Sequence, residues 1–566
     1  MNATPSTSPR LFRFCNTIIT FLMILITGYL FLLSIFGDCM INAYVGYETT
    51  VYLTDSPLFQ ISAILLLLLI CVLCNSHPGI MQFLSRYKKG ILIAIHIFFA
   101  VSMTAVIMLT KYQPTAAQAW TLDAAQHLLD GDYSFWEHSG FNYIYPALNG
   151  LSLFLVPFCF FFGKEGAIVA YQLFNLVMLL LASRSLYGFC KETHLNPGKT
   201  VLTFIIYLPM GLYIFFIYGN IASLSLSLFS IWQFTRFLSS NNKKNILLSA
   251  FTIALAISFK ETALITLIAM IIILVLDGII SKQWKKFLCL PLFLAMYFLL
   301  SFATNITIEG ITKESVPDGM GIYGHLTMGL SEGERANGWY NDYTFDTLVA
   351  CDFNYDQYET VTKEAFLLRC DTLLDTPSYA ISFLSRKAAS QWNNPTFQSI
   401  WIQQQMLDAD SRPHNLLCID GSPVNMLFYF LFNILQSIIL FGTLCYFVFD
   451  SKNASLSTLL PAVTFIGGFL FLLFWEAKAQ YTILFFILLI PYSITGFQSL
   501  LYNLMLLKDN HKWYASKVTL FLALLAAILL LTAADTPLLK DAIKLGSNDA
   551  DAYYTYYLEQ NVYQRR

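Results

Sequence analysis

The stretch "FLLFWEAKAQYTILFFILLI", residues 471–490, decides the class of fold. It is apolar and long enough to cross a bilayer, yet Glu476 and Lys478 stand in its middle. Charges at such a place cost several kcal/mol if they face lipid. Two residues apart on one helix, they would not face each other, so a simple ion pair closing a helical hairpin explains them poorly. They read instead as lining a polar site at one face of a membrane, of a kind that holds a charged lipid.

The rest of the chain agrees with a membrane setting. Of its 566 residues 57% are hydrophobic and 12% charged, against about 25% charged in soluble domains. Aromatics reach 16%, with 49 Phe. The net charge of -2 gives no sign of nucleic-acid binding. The first apolar run, Phe14 to Phe36, is long enough to span and carries no small-residue cleavage site, so it reads as a span. Most of the eleven Cys lie in apolar runs as small core residues. Cys351, Cys370 and Cys418 fall in a polar region where one disulfide among them is compatible, and their spacing is not that of a zinc site. No internal repeat or low-complexity segment is evident.

The composition predicts an all-α polytopic protein. Spans are expected near 12–36, 57–75, 90–110, 167–188, 200–217, 220–237, 246–259, 263–279, 287–304, 425–448, 457–475, 481–503 and 518–533. Lys and Arg concentrate in cytoplasmic loops. Arg10 and Arg13, then Arg86, Lys88 and Lys89, Lys191 and Lys199, Lys243 and Lys244, Lys282, Lys285 and Lys286, and Lys508, Lys512 and Lys517 all fall inside if about thirteen spans cross. That parity requires 146–163, bracketed by Pro146 and Pro157, to dip in and return or to lie at the interface. The N-terminus is then cytoplasmic, and the C-terminus and 305–424 extracytoplasmic, as in a multi-pass plasma-membrane protein.

The expected organisation is a helical hairpin addition at 1–89, a core at 90–304 with a first outer loop at 111–163, an outer helical domain at 305–424, C-terminal helices at 425–533 and an outer tail at 534–566. The 305–424 block holds sixteen Asp and Glu against seven Lys and Arg, in keeping with an outward position. Its stretch 377–392, "PSYAISFLSRKAASQW", has the spacing of a helix lying on the membrane surface. Outer loops, a broken segment and a large outer domain point to chemistry on the non-cytoplasmic face. Nucleotide sugars and ATP are absent there, so a donor must arrive on lipid. No P-loop, Rossmann glycine motif or metal-ligand cluster appears, and no cofactor is expected.

Six stretches carry a resemblance, in order along 110–500: "DGDYSFWEHSGFNYIYPALNGL" (130–151), "FIYGNIASLSLSLF" (216–229), "ISFKETALITLIAM" (257–270), "YGHLTMGLSEGERANGWYND" (323–342), "SRKAASQWNNPTF" (385–397) and "GGFLFLLFWEAKAQYTILFFILLIPY" (467–492). Together they resemble the C-type (GT-C) integral-membrane glycosyltransferase superfamily, in particular bacterial relatives of the dolichyl-phosphate-mannose–protein mannosyltransferases. The resemblance implies a polyprenyl-phosphate sugar as donor and transfer on the outer face to a glycan, lipid or protein. It also implies a carboxylate base in the first outer loop. Here "KYQPTAAQAWTLDAAQHLL" (111–129) has Ala116 and Ala117 about where relatives carry an Asp. Asp123 is the nearest acid, with Glu476 the competing candidate.

Lys260, Lys478, His325, Gln480 and Tyr481 are expected to bind donor or lipid phosphate. Tyr145, Asn149, Tyr218, Asn220 and Trp392 are pocket candidates. Each has a plainer reading. Lys260 is a snorkelling helix-end lysine; His325 is a surface residue; Trp392 and Trp475 are interface aromatics; Asp123, Asp130 and Asp132 are solvated loop acids. Rival functions are a transporter or flippase for lipid-linked sugars, a polymerase or ligase using lipid pyrophosphate, and an inactive scaffold. The lack of a repeated half and the one-sided outer domain count against transport.

Overall fold

The computed structural model describes residues 10–42, 48–54, 57–333, 335–407 and 422–509, together with Thr519, Phe521, Ala523 and Ala526. The expected span 518–533 lies outside them but for those four residues, and the tail 534–566 lies wholly outside.

The chain is helical almost throughout. The first helices are α1 (Arg10–Phe36), α2 (Pro57–Ser76), α3 (Pro78–Leu109), α4 (Ala117–Asp130), α5 (Phe141–Ile144) and α6 (Asn149–Glu192). Next come α7 (Pro197–Ile206), α8 (Leu208–Leu212), α9 (Asn220–Ser240), α10 (Lys243–Phe259), α11 (Leu264–Ile280) and α12 (Leu290–Thr312). The 305–424 block folds as α13 (Ile322–Gly329), α14 (Tyr343–Ala350), α15 (Tyr355–Asp375), α16 (Pro377–Trp392) and α17 (Ser399–Met406). The chain continues with α18 (Pro423–Phe449), α19 (Leu456–Phe474), α20 (Ala479–Ile487) and α21 (Ile490–Asp509). One antiparallel hairpin, β1 (Gly37–Asn42) and β2 (Thr49–Thr54), interrupts this pattern, with Gly37 opposite Thr54 and Asn42 opposite Thr49.

Among the described residues nine helices are long and apolar enough to cross a membrane, or up to eleven if each of two bent pairs counts as one span. The bent pairs are Pro197–Ile206 with Leu208–Phe215, at 56°, and Ala479–Ile487 with Ile490–Leu504, at 54°. Every expected run from 12–36 to 481–503 falls on a helix or a bent pair. The shortfall from thirteen comes from α10, whose 17 residues reach only about 25 Å at 1.5 Å per residue, and from the undescribed 518–533.

The ambiguous segment 146–163 is helical but is separated by a break from the rest of α6. Pro157 stays inside the helix, and the interruption comes at Gly163, with φ 68° and ψ 168°. Only glycine adopts that conformation without strain. Phe160, Phe161 and Phe162 are exposed just before the break, as suits side chains in contact with lipid.

The N-terminal helix is part of the core. Its Phe31 ring packs on Phe441 of α18 at 5.2 Å, and Ser437 bonds to the Ser34 hydroxyl at 2.9 Å. The α9–α10 pair closes on serines: the Ser230 hydroxyl donates to the Ser249 carbonyl at 2.8 Å. Helices α13 to α17 sit over one end of these spans. The hairpin ties onto them through Cys39 N–H to Asn393 O at 2.9 Å and Thr50 N–H to Arg335 O at 3.0 Å. The second half of α16 departs from a surface-lying helix. Phe383, Ser385 and every residue from Lys387 to Trp392 are buried inside the protein. Cys351 and Cys370 are free thiols, and Cys418 lies outside the described residues.

Candidate functional site

Glu48, just before β2, and four interhelical connections, 216–219, 260–262, 393–398 and 475–478, meet at one end of the bundle. The connections bring polar side chains because each is where a helix stops. Trp475 to Lys478 is not helical, so the rule for charges two apart on a helix does not apply. In this linker the Lys478 ammonium lies 3.8 Å from a Glu476 oxygen.

Lys478 has a closer partner. Its Nζ is 3.0 Å from Glu48 Oε2 and 3.3 Å from Oε1. Gln398 donates to Glu48 Oε1 at 3.3 Å and accepts the Gln480 N–H at 2.9 Å. Gln398 is in turn set by Asn394, whose side-chain oxygen accepts the Gln398 and Thr396 N–H groups. Burial works against the Lys478 charge, but Glu48 and Glu476 more than offset it and hold the ammonium above the usual lysine range. Tyr481 donates to Glu476 Oε2 at 3.2 Å.

Lys260 follows α10 and is partly buried. Its Nζ lies 4.3 Å from the Tyr218 ring centre and 4.9 Å from that of Tyr481. Such faces attract a cation. Among the described residues no carboxylate is within ion-pair distance of it. Burial, with the nearby Lys478 charge, brings its pKa down to about 8. The turn beneath it is fixed by long-range bonds: Tyr171 to Tyr218 O, Asn175 to Ile214 O and Phe216 O, and Ile217 N–H to the Gln118 side chain, all at 3.0 Å.

Beside Lys260 lies a narrow cleft, lined also by Asn220, Ser223, Thr262, Gln480 and Tyr481. Three buried oxygens on its wall, Asn220 Oδ1, Ser223 Oγ and Gln480 Oε1, have no hydrogen-bond partner among the described residues. Buried polar atoms are nearly always paired, so these three are open to a donor from water or from a ligand. A partly buried cation without a counter-ion is likewise suited to an anion.

On the outer-domain side His325 stacks on Trp475 at 4.8 Å. Burial pushes the imidazole pKa below its ordinary value against the opposing pull of Glu476. Lys387 is fully buried and donates to Trp475 O at 2.6 Å and to Gly329 O. Desolvation brings its pKa down to about 7, with Glu476 opposing.

The structure thus gathers Lys260, Glu476, Lys478, Gln480, Tyr481, Tyr218 and Asn220, with His325 stacked one residue from Glu476. Tyr145 lies beside Tyr340, within the electrostatic reach of Glu476. Asn149 does structural work, accepting from Trp136 Nε1 and Asn142 Nδ2, both at 2.9 Å. Trp392 lies in the apolar core against Phe465 and Phe469. Asp123 sits on α4 and pairs with Lys164, just past the Gly163 break, at 2.6 Å. No described contact joins it to the cluster. Ala116 is the residue before α4 and has φ 50°, outside ordinary non-glycine conformations. Glu48 and Lys387 are the residues sequence reasoning missed. Among the described residues no group of three His, Cys, Asp or Glu is placed to hold a metal ion.

No protein-family model and no curated protein sequence matches the chain. Among solved structures it is similar to the archaeal oligosaccharyltransferase AglB from Archaeoglobus fulgidus, in complex with an inhibitory peptide and a dolichol-phosphate. The identity is 13% and the TM-score 0.39, over 83% of this chain and 60% of that one. The chain therefore spans less than two thirds of that relative's length, and the site rests on its own geometry.

Proposed function

We propose that this multi-pass membrane protein is a glycosyltransferase. It moves a sugar from a polyprenyl-phosphate donor to a glycan, lipid or protein acceptor at the extracytoplasmic face. The observation that carries the reading is Lys260: a partly buried ammonium with aromatic neighbours, no carboxylate within ion-pair distance among the described residues, and a cleft with unpaired polar oxygens beside it. The resemblance read in the sequence supplies the donor class.

In this mechanism the acceptor hydroxyl gives its proton to a carboxylate as its oxygen bonds to the sugar's anomeric carbon. The bond from that carbon to the phosphate oxygen breaks, and lipid phosphate leaves. Charge develops on the leaving phosphate, where fixed cations stabilise it. Lys260 and Lys478 serve there. Glu476 takes the proton. It belongs to the cluster, whereas the Asp123 carboxylate is held by Lys164. The test is to incubate the purified protein with polyprenyl-phosphate sugars and candidate acceptors and to measure release of free polyprenyl phosphate. No release with any donor tried would count against the reading.

A further inference from the structure

One lysine stands between two carboxylates at this site, and the two are not equivalent. Lys478 is 3.0 Å from Glu48 and 3.8 Å from Glu476. Glu48 comes from the hairpin loop, 430 residues away in the chain, and Gln398 fixes it from the outer domain. Gln398 also binds the backbone of Gln480, two residues after Lys478. The same bridge therefore holds both Glu48 and the start of α20. Lys478 N-caps that helix with an extended backbone, and its ammonium lies within ion-pair distance of both carboxylates.

The geometry points to Glu48 as a positioning residue that draws the Lys478 ammonium away from Glu476 and keeps the Glu476 carboxylate free to accept a proton. A base locked in a close ion pair is a weaker base, since the paired cation stabilises its ionised form. Without the Glu48 charge, Lys478 has one carboxylate left, and it closes on Glu476. The other charged or titratable groups around Glu476 do not offer that role. Tyr481 already donates to it. Lys387 is engaged with two carbonyls. His325 is stacked on Trp475, and Lys260 is set against two rings. Tyr218 lies beneath Lys260, and Tyr145 lies beside Tyr340.

The part of this inference that concerns proton acceptance rests on the glycosyl-transfer reading, whereas the competition for Lys478 does not. The test is a set of double-mutant cycles read as Tm of the purified full chain. The coupling of Glu476→Gln with Lys478→Met is measured in the wild-type and Glu48→Gln backgrounds. Competition predicts a weak coupling in wild type that grows once Glu48 is neutralised. A merely structural Glu48 lowers Tm and leaves that coupling unchanged, which would overturn the inference. If Glu48→Gln does not fold, Glu48→Asp keeps the charge on a shorter arm, and a smaller rise is expected; no rise is again the overturning result. Under turnover, Glu48→Gln is expected to lower kcat and to move the acid limb of the pH profile to lower pH. An unmoved acid limb in an active Glu48→Gln protein also overturns the inference. An inactive wild type with the expected Tm couplings counts against the transfer reading alone.

Discussion

The Lys387 ammonium donates to the carbonyl of Trp475 at 2.6 Å. A side chain of α16 thereby closes the end of a membrane helix and fixes the linker that carries Glu476 and Lys478. The same ammonium bonds Gly329 O at the end of α13. One buried amine thus joins the helix bearing His325, the linker and its own helix, α16.

That amine makes stability depend on pH. Its pKa in the folded protein is about 7, below the unfolded value, so between these the unfolded chain holds one more proton. Stability therefore rises as pH increases from 7 toward 9. Lys387→Met removes this contribution and leaves two carbonyls less well satisfied. The variant is expected to be less stable, with a pH slope lower than wild type by up to about 1.4 kcal/mol per unit in that window. Thermal unfolding at several pH values measures it, and equal slopes in the two proteins would sink the idea.

Gly219 has no room for a side chain. A Cβ there would stand 1.9 Å from the carbonyl oxygen of Phe259, the residue before Lys260. Gly219→Ala forces the two turns apart and moves Lys260 off the Tyr218 ring. The expected cost is about 1–3 kcal/mol or more in stability, with weakened polyprenyl-phosphate binding in whatever fraction folds. A variant with wild-type Tm and binding would show that the turns are not locked together.

The topology makes a separate prediction. Leu374 is 76% exposed on the outer domain, and Lys285 is exposed on the α11–α12 connection. In a background freed of accessible native cysteines, an impermeant thiol reagent added to intact cells should label Leu374→Cys and spare Lys285→Cys. Labelling of Lys285→Cys from outside would invert the charge-parity orientation.

Lys260 supplies the binding prediction. Losing one charge-assisted hydrogen bond to phosphate removes about 1.5–3 kcal/mol, on the order of ten- to a hundredfold in affinity. Lys260→Ala should weaken polyprenyl-phosphate binding by that factor while the protein stays folded. With a pKa of about 8 in the free protein, Lys260 is charged below that pH. Wild-type binding should therefore weaken as pH rises from 7 to 9, and the variant's should lose this dependence. Native mass spectrometry or equilibrium binding reads both, and unchanged affinity would return Lys260 to a snorkelling role.

The cluster is legible where its residues interrupt apolar runs. Lys260, Glu476 and Lys478 stand out because charge inside a long hydrophobic stretch has few explanations. Glu48 gives no such signal. It stands outside the long apolar runs, and its partner is 430 residues away, beyond the reach of any local pattern. Lys387 looks like one of the basic positions of a surface helix, since helical spacing places residues on a face without saying what covers it. The Gly163 break, by contrast, falls where the sequence already parts 146–163 from 167–188, at the polar Gly163-Lys164-Glu165-Gly166 step in an apolar run. Composition reports which groups must leave lipid; pairing across the fold decides what they meet.

The choice of base depends on such pairing. Asp123 has its carboxylate 2.6 Å from the Lys164 ammonium, on a helix without a described contact to Lys260 or Lys478. Glu476 accepts one hydroxyl at 3.2 Å and has its lysine at 3.8 Å, inside the cluster. Glu476→Gln keeps the shape but cannot take a proton. It should retain polyprenyl-phosphate binding and lose transfer by about 10²–10⁴-fold, the range that general-base catalysis supplies. Asp123→Asn breaks the Lys164 pair and should keep most of the turnover, with a modest fall in Tm because the pair is part-exposed. Release of free polyprenyl phosphate, measured beside binding for both variants, separates them. Loss of turnover in Asp123→Asn alone would place the base in the first outer loop, where the resemblance to the C-type family implies it, and would leave Glu476 as a phosphate-side residue. Retained turnover in both would remove each from the chemistry and direct the search to the carboxylates of 305–424.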